Sequence, residues 1–274
     1  MKKYCLFFVA FMALSLVLSS CQKEEEETPA FEEDLVTNED VATATNLFQD
    51  TEDEVDNQIE TRGGGLNCPA VTVVPDDGSF PRTVTIDYGP DGCEGPNGRL
   101  RQGMIMVTQT NPMAAPGAAR TITFDNFFVD GVQVQGVKTI INASTGTDGN
   151  IVFTRTVEGG SLTYPNGETA SWEASHTLTQ VDGGGTPAML DDVFEITGGS
   201  SGANRHGVAF TVEITEPLVK RKICPWIVSG VITIAINGRT RTLDYGDGEC
   251  DRIATVIYPN GFTREVLIRN WWRL

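Results

Sequence analysis

The chain has 274 residues, 40% of them hydrophobic and 21% charged, with a net charge of −17, which is enough material for one or two globular domains. That charge argues against nucleic acid as a partner, because phosphate binding needs a basic face. A supply of two histidines leaves His-based acid–base catalysis or a His-rich metal site poorly provided for.

The N-terminus opens with Met1-Lys2-Lys3, followed by an apolar stretch from Cys5 to Leu18. Fourteen residues are too few to span a bilayer, which takes about 20, and residues 1–20 have the layout of a cleavable signal peptide. The stretch ends in Leu18-Ser19-Ser20-Cys21, which resembles the lipobox of bacterial lipoproteins. The resemblance implies cleavage before Cys21 and a lipid on its thiol, so the membrane becomes a partner through that anchor; two or more acyl chains hold stably. Gln22-Lys23-Glu24-Glu25-Glu26 in turn resembles the export signal that sends Bacteroidota-type lipoproteins to the outer face of the outer membrane.

Residues 22–61 hold 15 acids against Lys23 alone, whereas residues 62–274 hold 22 acids and 17 bases. Like charges repel and keep a segment extended. Residues 21–65 therefore read as a lipidated cysteine plus an acidic tether, disordered or weakly helical, with a flexible-coil reach of about 35 Å. Within it Asn38–Gln49 is the one helical candidate, with Asn38 as its N-cap. Arg62-Gly63-Gly64-Gly65 marks the boundary to the body.

From residue 66 to 274 the apolar period is two. Ile122 and Phe124, Val132 and Val134, and Ile232, Ile234 and Ile236 alternate with polar or small residues, which puts one face of each strand on a core. Asp130-Gly131 and Asn237-Gly238 are hairpin signals, and Pro96-Asn97-Gly98, Pro165-Asn166-Gly167 and Pro259-Asn260-Gly261 repeat a second turn device. The body reads as a single all-β domain of about a dozen antiparallel strands, either a hairpin-rich β-sandwich or a curled β-meander, with almost no helix.

An internal echo runs through it. Arg82-Thr83-Val84-Thr85-Ile86-Asp87-Tyr88-Gly89 recurs 157 residues later as Arg239-Thr240-Arg241-Thr242-Leu243-Asp244-Tyr245-Gly246, and the same offset carries Cys93 to Cys250. Cys68-Pro69 returns as Cys224-Pro225, so the two copies cover 68–95 and 224–252. Four cysteines in an oxidising compartment allow three disulfide connectivities, and the echo favours Cys68–Cys93 and Cys224–Cys250. The alternatives are free thiols or zinc, the latter lacking the usual close Cys-x₂-Cys pair. Thr123-Phe124-Asp125-Asn126, Val228-Ser229-Gly230 and the run Leu243 to Asp251 together resemble a family of surface-exported lipoproteins of the Bacteroidota type. The resemblance implies a shared β-rich secreted domain and carries over no catalytic or binding residue.

Candidate chemistry is sparse. Gly198-Gly199-Ser200-Ser201-Gly202 has the letters of a nucleophile elbow but lacks a following helix and a suitably placed histidine, so it reads as a flexible hairpin loop. His176 alternates with Trp172 and Ala174 as a packed strand histidine, and His206 lies just past the glycine run. Asp76, Asp77, Glu173, Asp191 and Asp192 could supply a carboxylate pair for glycan hydrolysis. Asp244, Asp247, Glu249 and Asp251 are rich in oxygen but lack EF-hand spacing. Lys220-Arg221-Lys222 reads as a solvated strand end, and Trp271-Trp272 as a candidate glycan platform. The expectation is a surface-displayed, non-enzymatic binding, adhesion or accessory module without a cofactor, whose ligand is a glycan or a protein. A glycan hydrolase using paired carboxylates and a periplasmic lipid carrier with an apolar groove are the rivals.

Overall fold

The computed structural model describes residues 29–61, 68–95, 98–145, 150–184, 189–224, 226–251 and 253–267. The signal peptide 1–20, Cys21, the export signal Gln22–Glu26, the boundary at 62–65, Pro96-Asn97 and Trp271-Trp272 lie outside the described residues.

The described residues open with one α-helix, α1 (Pro29–Thr61), and continue in strands: β1 (Ala70–Val74), β2 (Arg82–Asp87), β3 (Cys93–Glu94), β4 (Leu100–Gln109), β5 (Ala119–Val129), β6 (Val132–Asn142) and β7 (Val152–Thr163). Then come β8 (Thr169–Asp182), β9 (Val193–Ala203), β10 (Ala209–Arg221), β11 (Ile227–Ile236), β12 (Arg239–Asp247), β13 (Ile253–Ile257) and β14 (Thr263–Leu267), with one 3₁₀ turn at Met189–Asp191. All fourteen strands join a single antiparallel sheet in which successive strands are neighbours, apart from β3, which pairs only with β4. The sheet does not close, so β1 and β14 are its margins. Of the two expected all-β architectures, this is the curled meander.

Local chemistry explains the order. Asp130 and Gly131 both take positive φ (51° and 84°), as do Asn237 and Gly238 (48° and 73°), which matches the twist that two-residue hairpins require. The alternation holds as well: Ile122, Val132, Val134, Ile232, Ile234 and Ile236 are all buried. Cys68 is joined to Cys93 and Cys224 to Cys250, the two pairs favoured by the echo. Copy one lies at the β1 margin and copy two among β11 to β13, so each half of the sheet carries its own clip.

The expected tether is the main departure. Residues 38–49 are helical, but they form only the middle of a 33-residue helix that shares the core of the sheet. Val41, Ala44, Leu47, Phe48 and Val55 are buried, at the three-and-four spacing of a helix face. Self-repulsion does not extend this segment because the strands neutralise its acids one by one. Asp50 lies 2.8 Å from Arg101, Glu52 2.6 Å from Lys138 and 2.5 Å from Arg155, Asp56 2.5 Å from Arg120, Asp40 2.5 Å from Arg205, and Asp34 2.9 Å from Arg241.

All of these bases except Arg205, which lies in the β9–β10 turn, occupy inward-facing strand positions. Arg101 sits opposite Val129, Lys138 opposite Ile122, Arg155 opposite Ile140 and Arg241 opposite Ile234, and directly opposed residues share a face. Asp50 and Glu52, two residues apart, point about 200° apart around a helix of 3.6 residues per turn. Their partners lie on β4 for one and on β6 and β7 for the other. One sheet reaches opposite sides of one helix, so it must curl around it.

Candidate ligand-binding cavity

The curl is filled unevenly. One helix face, with Ala44, Leu47, Thr51 and Val55, is buried against sheet. On another face Leu35, Asn38, Ala42, Thr45, Gln49 and Asp53 border a void instead. This cavity has a volume of about 350 Å³ and is bounded on its far side by strands from β6 to β14. Its helical wall runs from Leu35 to Asp53, about 27 Å at 1.5 Å rise per residue. It is elongated, and it falls in the size range of small-molecule sites.

Strand alternation makes the sheet wall apolar. Phe194 and Ile196 on β9, Ile214 and Leu218 on β10, Ile232 on β11 and Leu243 on β12 all line it. Trp172 and Trp226 also contribute. The glycine run of β9 is part of this construction. Gly198, Gly199 and Gly202 are interior strand residues between β8 and β10, not the expected hairpin loop. A Cβ on Gly198 would lie 2.2 Å from the Ser175 carbonyl oxygen, and one on Gly199 2.4 Å from that of Val212. The missing side chains let three strands approach closely, and no helix follows to make an elbow.

Cations gather where the helix presents Glu52 and Asp53. Lys138 and Arg155 are held by Glu52, and the Lys138 ammonium also donates to the Phe48 carbonyl at 2.7 Å. Burial pushes the Glu52 carboxyl up, but Arg155 and Lys138 outweigh it and bring its pKa down to about 2. Lys220 lines the cavity, and its ammonium donates to the Cys224 carbonyl at 2.5 Å. Burial lowers its pKa, partly offset by Asp53, with Lys222 and Arg155 lowering it further. Lys222 also lines the cavity, and it makes no ion pair among the described residues. Of the three residues read as a solvated strand end, Arg221 and Lys222 are exposed as expected and Lys220 is half-buried, while Lys220 and Lys222 border the cavity.

His176 lies on β8 across from Arg155 and lines the same cavity, as do Trp172 and Ala174. Burial, with Arg155 and Lys138, lowers its pKa to about 4, so the ring is neutral at pH 7. Tyr245 stands at the echo position of Tyr88. The Tyr88 hydroxyl donates to Glu54 of the helix at 3.0 Å. Tyr245 lines the cavity, and burial raises its pKa to about 12. Among the described residues neither His176 nor Tyr245 makes a side-chain hydrogen bond. At copy one the helix meets the tyrosine; at copy two the tyrosine meets a void.

The other sequence candidates are scattered. Asp76 and Asp77 follow β1 at the surface, and the Asp77 carboxylate caps Ser79. Glu173 is exposed and accepts from the Gly159 amide, while Asp192 accepts from Gln180 and Asp191 is exposed. None of these carboxylates lines the cavity. His206, in the β9–β10 turn, lies 3.2 Å from Glu33. Asp244, Asp247 and Asp251 accept from the amides of Gly246, Glu249 and Ile253, as turn-forming acids do. Among the described residues no group of three or more His, Cys, Asp or Glu could hold a metal ion, and no described helix is long and apolar enough to cross a membrane.

Tyr245 and Trp226 were not legible as site residues in the sequence, whereas Lys222 belonged to the basic run weighed as a phosphate or glycan contact beside its strand-end reading. The echo was the available signal for Tyr245, since the two tyrosines could be compared once the helix partner of the first was known. Comparison with protein-family models, with curated proteins and with solved structures finds no match to this chain.

Proposed function

We propose that this chain is a non-enzymatic binding module of the bacterial cell envelope, with a lipid anchor on Cys21 and display on the outer face of the outer membrane, and that its cavity takes an elongated apolar ligand. The cavity between α1 and the strands from β6 to β14 carries this reading. It shifts the ligand class from the expected glycan or protein towards a lipid, because aliphatic and aromatic side chains from β8 to β12 make up much of the sheet wall and burial of apolar surface is the dominant favourable term for such an occupant. The membrane partner through Cys21 and the surface address rest on the resemblance of Leu18–Cys21 and Gln22–Glu26 to lipoprotein signals. The hydrolase alternative has no facing carboxylates among the described cavity residues to support it.

Trp172 and Trp226 supply the test. A long-chain alcohol brominated along its chain should quench tryptophan emission saturably, and Trp226→Phe should remove a clear part of that quenching. Absence of saturable quenching in the folded protein would rule the reading out.

A further inference from the structure

We propose that the ligand of this cavity is an amphiphile with an anionic head, a carboxylate or a phosphate monoester, held by Lys220 and Lys222, with His176 and Tyr245 lining the same cavity as further donors. The inference rests on the apolar-ligand reading and specifies the chemistry of its polar end.

Charge complementarity carries the argument. The molecule has a net charge of −17, yet six bases, Lys138, Arg155, Lys220, Lys222, Arg241 and Arg264, line this cavity against two acids, Glu39 and Asp53, and Glu52 engages two of the bases. Glu52 is used up by Lys138 and Arg155, and Asp53 accepts from Gln49 at 2.9 Å. The Lys220 and Lys222 ammonium groups are left without a carboxylate within ion-pair distance among the described residues, although their charges reach Asp53. Cations gathered on an apolar wall repel one another, and an anion bound between them relieves that repulsion as well as forming charge-assisted hydrogen bonds.

Two neutral groups add to the set. His176 and Tyr245, both half-buried, line the cavity and make no side-chain hydrogen bond among the described residues, so each is open to an incoming acceptor. The echo makes the Tyr245 case specific. Its counterpart Tyr88 donates to a carboxylate, that of Glu54, and an incoming carboxylate or phosphate would give Tyr245 the same kind of acceptor. The apolar chain then extends along Leu218, Ile214, Ile232 and Leu243 towards the Leu35 end of the helix.

The test compares tetradecanoic acid, tetradecyl phosphate and tetradecanol at pH 7 on the folded, disulfide-bonded chain, read by calorimetry. The acid or the phosphate should bind about tenfold or more tightly than the alcohol, and the stronger of the two identifies the head. In Lys220→Gln/Lys222→Gln that ratio should fall towards one. Because Lys220 also holds the Cys224 carbonyl, Lys222→Gln alone serves as a second variant, with a partial fall expected and thermal unfolding confirming the fold. A ratio near one in the unaltered protein, or a ratio that survives the double variant, overturns the anionic head while leaving the apolar cavity reading intact. Failure of all three amphiphiles to bind overturns both.

Discussion

Glu52 shows how this molecule uses charge at the scale of a single residue. Its carboxylate is enclosed between Lys138 and Arg155 at 2.6 and 2.5 Å, with a pKa near 2 against an ordinary 4.5. A carboxyl depressed on folding contributes stability above its unfolded pKa and loses it as pH falls through the folded one. The contribution is therefore complete above about pH 4.5 and fades towards pH 2, amounting to about 3 kcal/mol at ~1.4 kcal/mol per pH unit. Glu52→Gln should cost about 3–5 kcal/mol at pH 7 by leaving two buried cations unneutralised, and the deficit should shrink on acidification. Urea unfolding at pH 7 and pH 3 measures both. None of this was legible locally, because an acid in an acid-rich segment looks solvated until its partners, 86 and 103 residues away in the chain, are brought to it.

At the scale of elements, the strands were readable and the helix only in its middle, over residues 38–49. Alternation at Ile232, Ile234 and Ile236, with turn chemistry at Asn237-Gly238, leaves little freedom in how β11 and β12 pair. α1 gave a weaker signal. Val41, Ala44, Phe48 and Val55 do carry helical spacing, but it is diluted by acids on every side, and the charge outweighed the period. The same dilution hid the basic residues at inward strand positions, where a base facing a core is rare unless paired. The glycine run of β9 misled in the opposite sense: glycine usually marks a turn, but here it admits neighbouring backbones. Since the helix is held by its apolar stripe as well as its charges, Leu47→Ala should cost about 2–5 kcal/mol, with an unchanged denaturant slope in equilibrium unfolding.

The whole molecule is a sheet built around a core element that lies outside the sheet in sequence. Residues 66–274 alone would leave Ile86, Ile105 and Leu162 without part of their covering, and Arg101, Lys138 and Arg241 without counter-charges. That fragment should lose its sharp thermal transition and bind a hydrophobic dye. Adding a peptide of residues 29–61 should restore cooperativity. A fragment that unfolds at the midpoint of the full chain would show that the helix is an accessory to the sheet. The all-β class could be seen from the chain alone; the wrapping of the sheet could not, since it depends on pairings that join opposite ends of the sequence.

Those pairings have a kinetic consequence. Asp34 meets Arg239 and Arg241 across more than 200 residues, and Asp40 meets Arg205 across 165. Contacts so distant form late, because the loop entropy must be lost before they return any energy. The helix, although it precedes every strand, is thus the last element to find its place, and until β12 has paired, its carboxylates stay hydrated and the groove between helix and sheet stays incomplete.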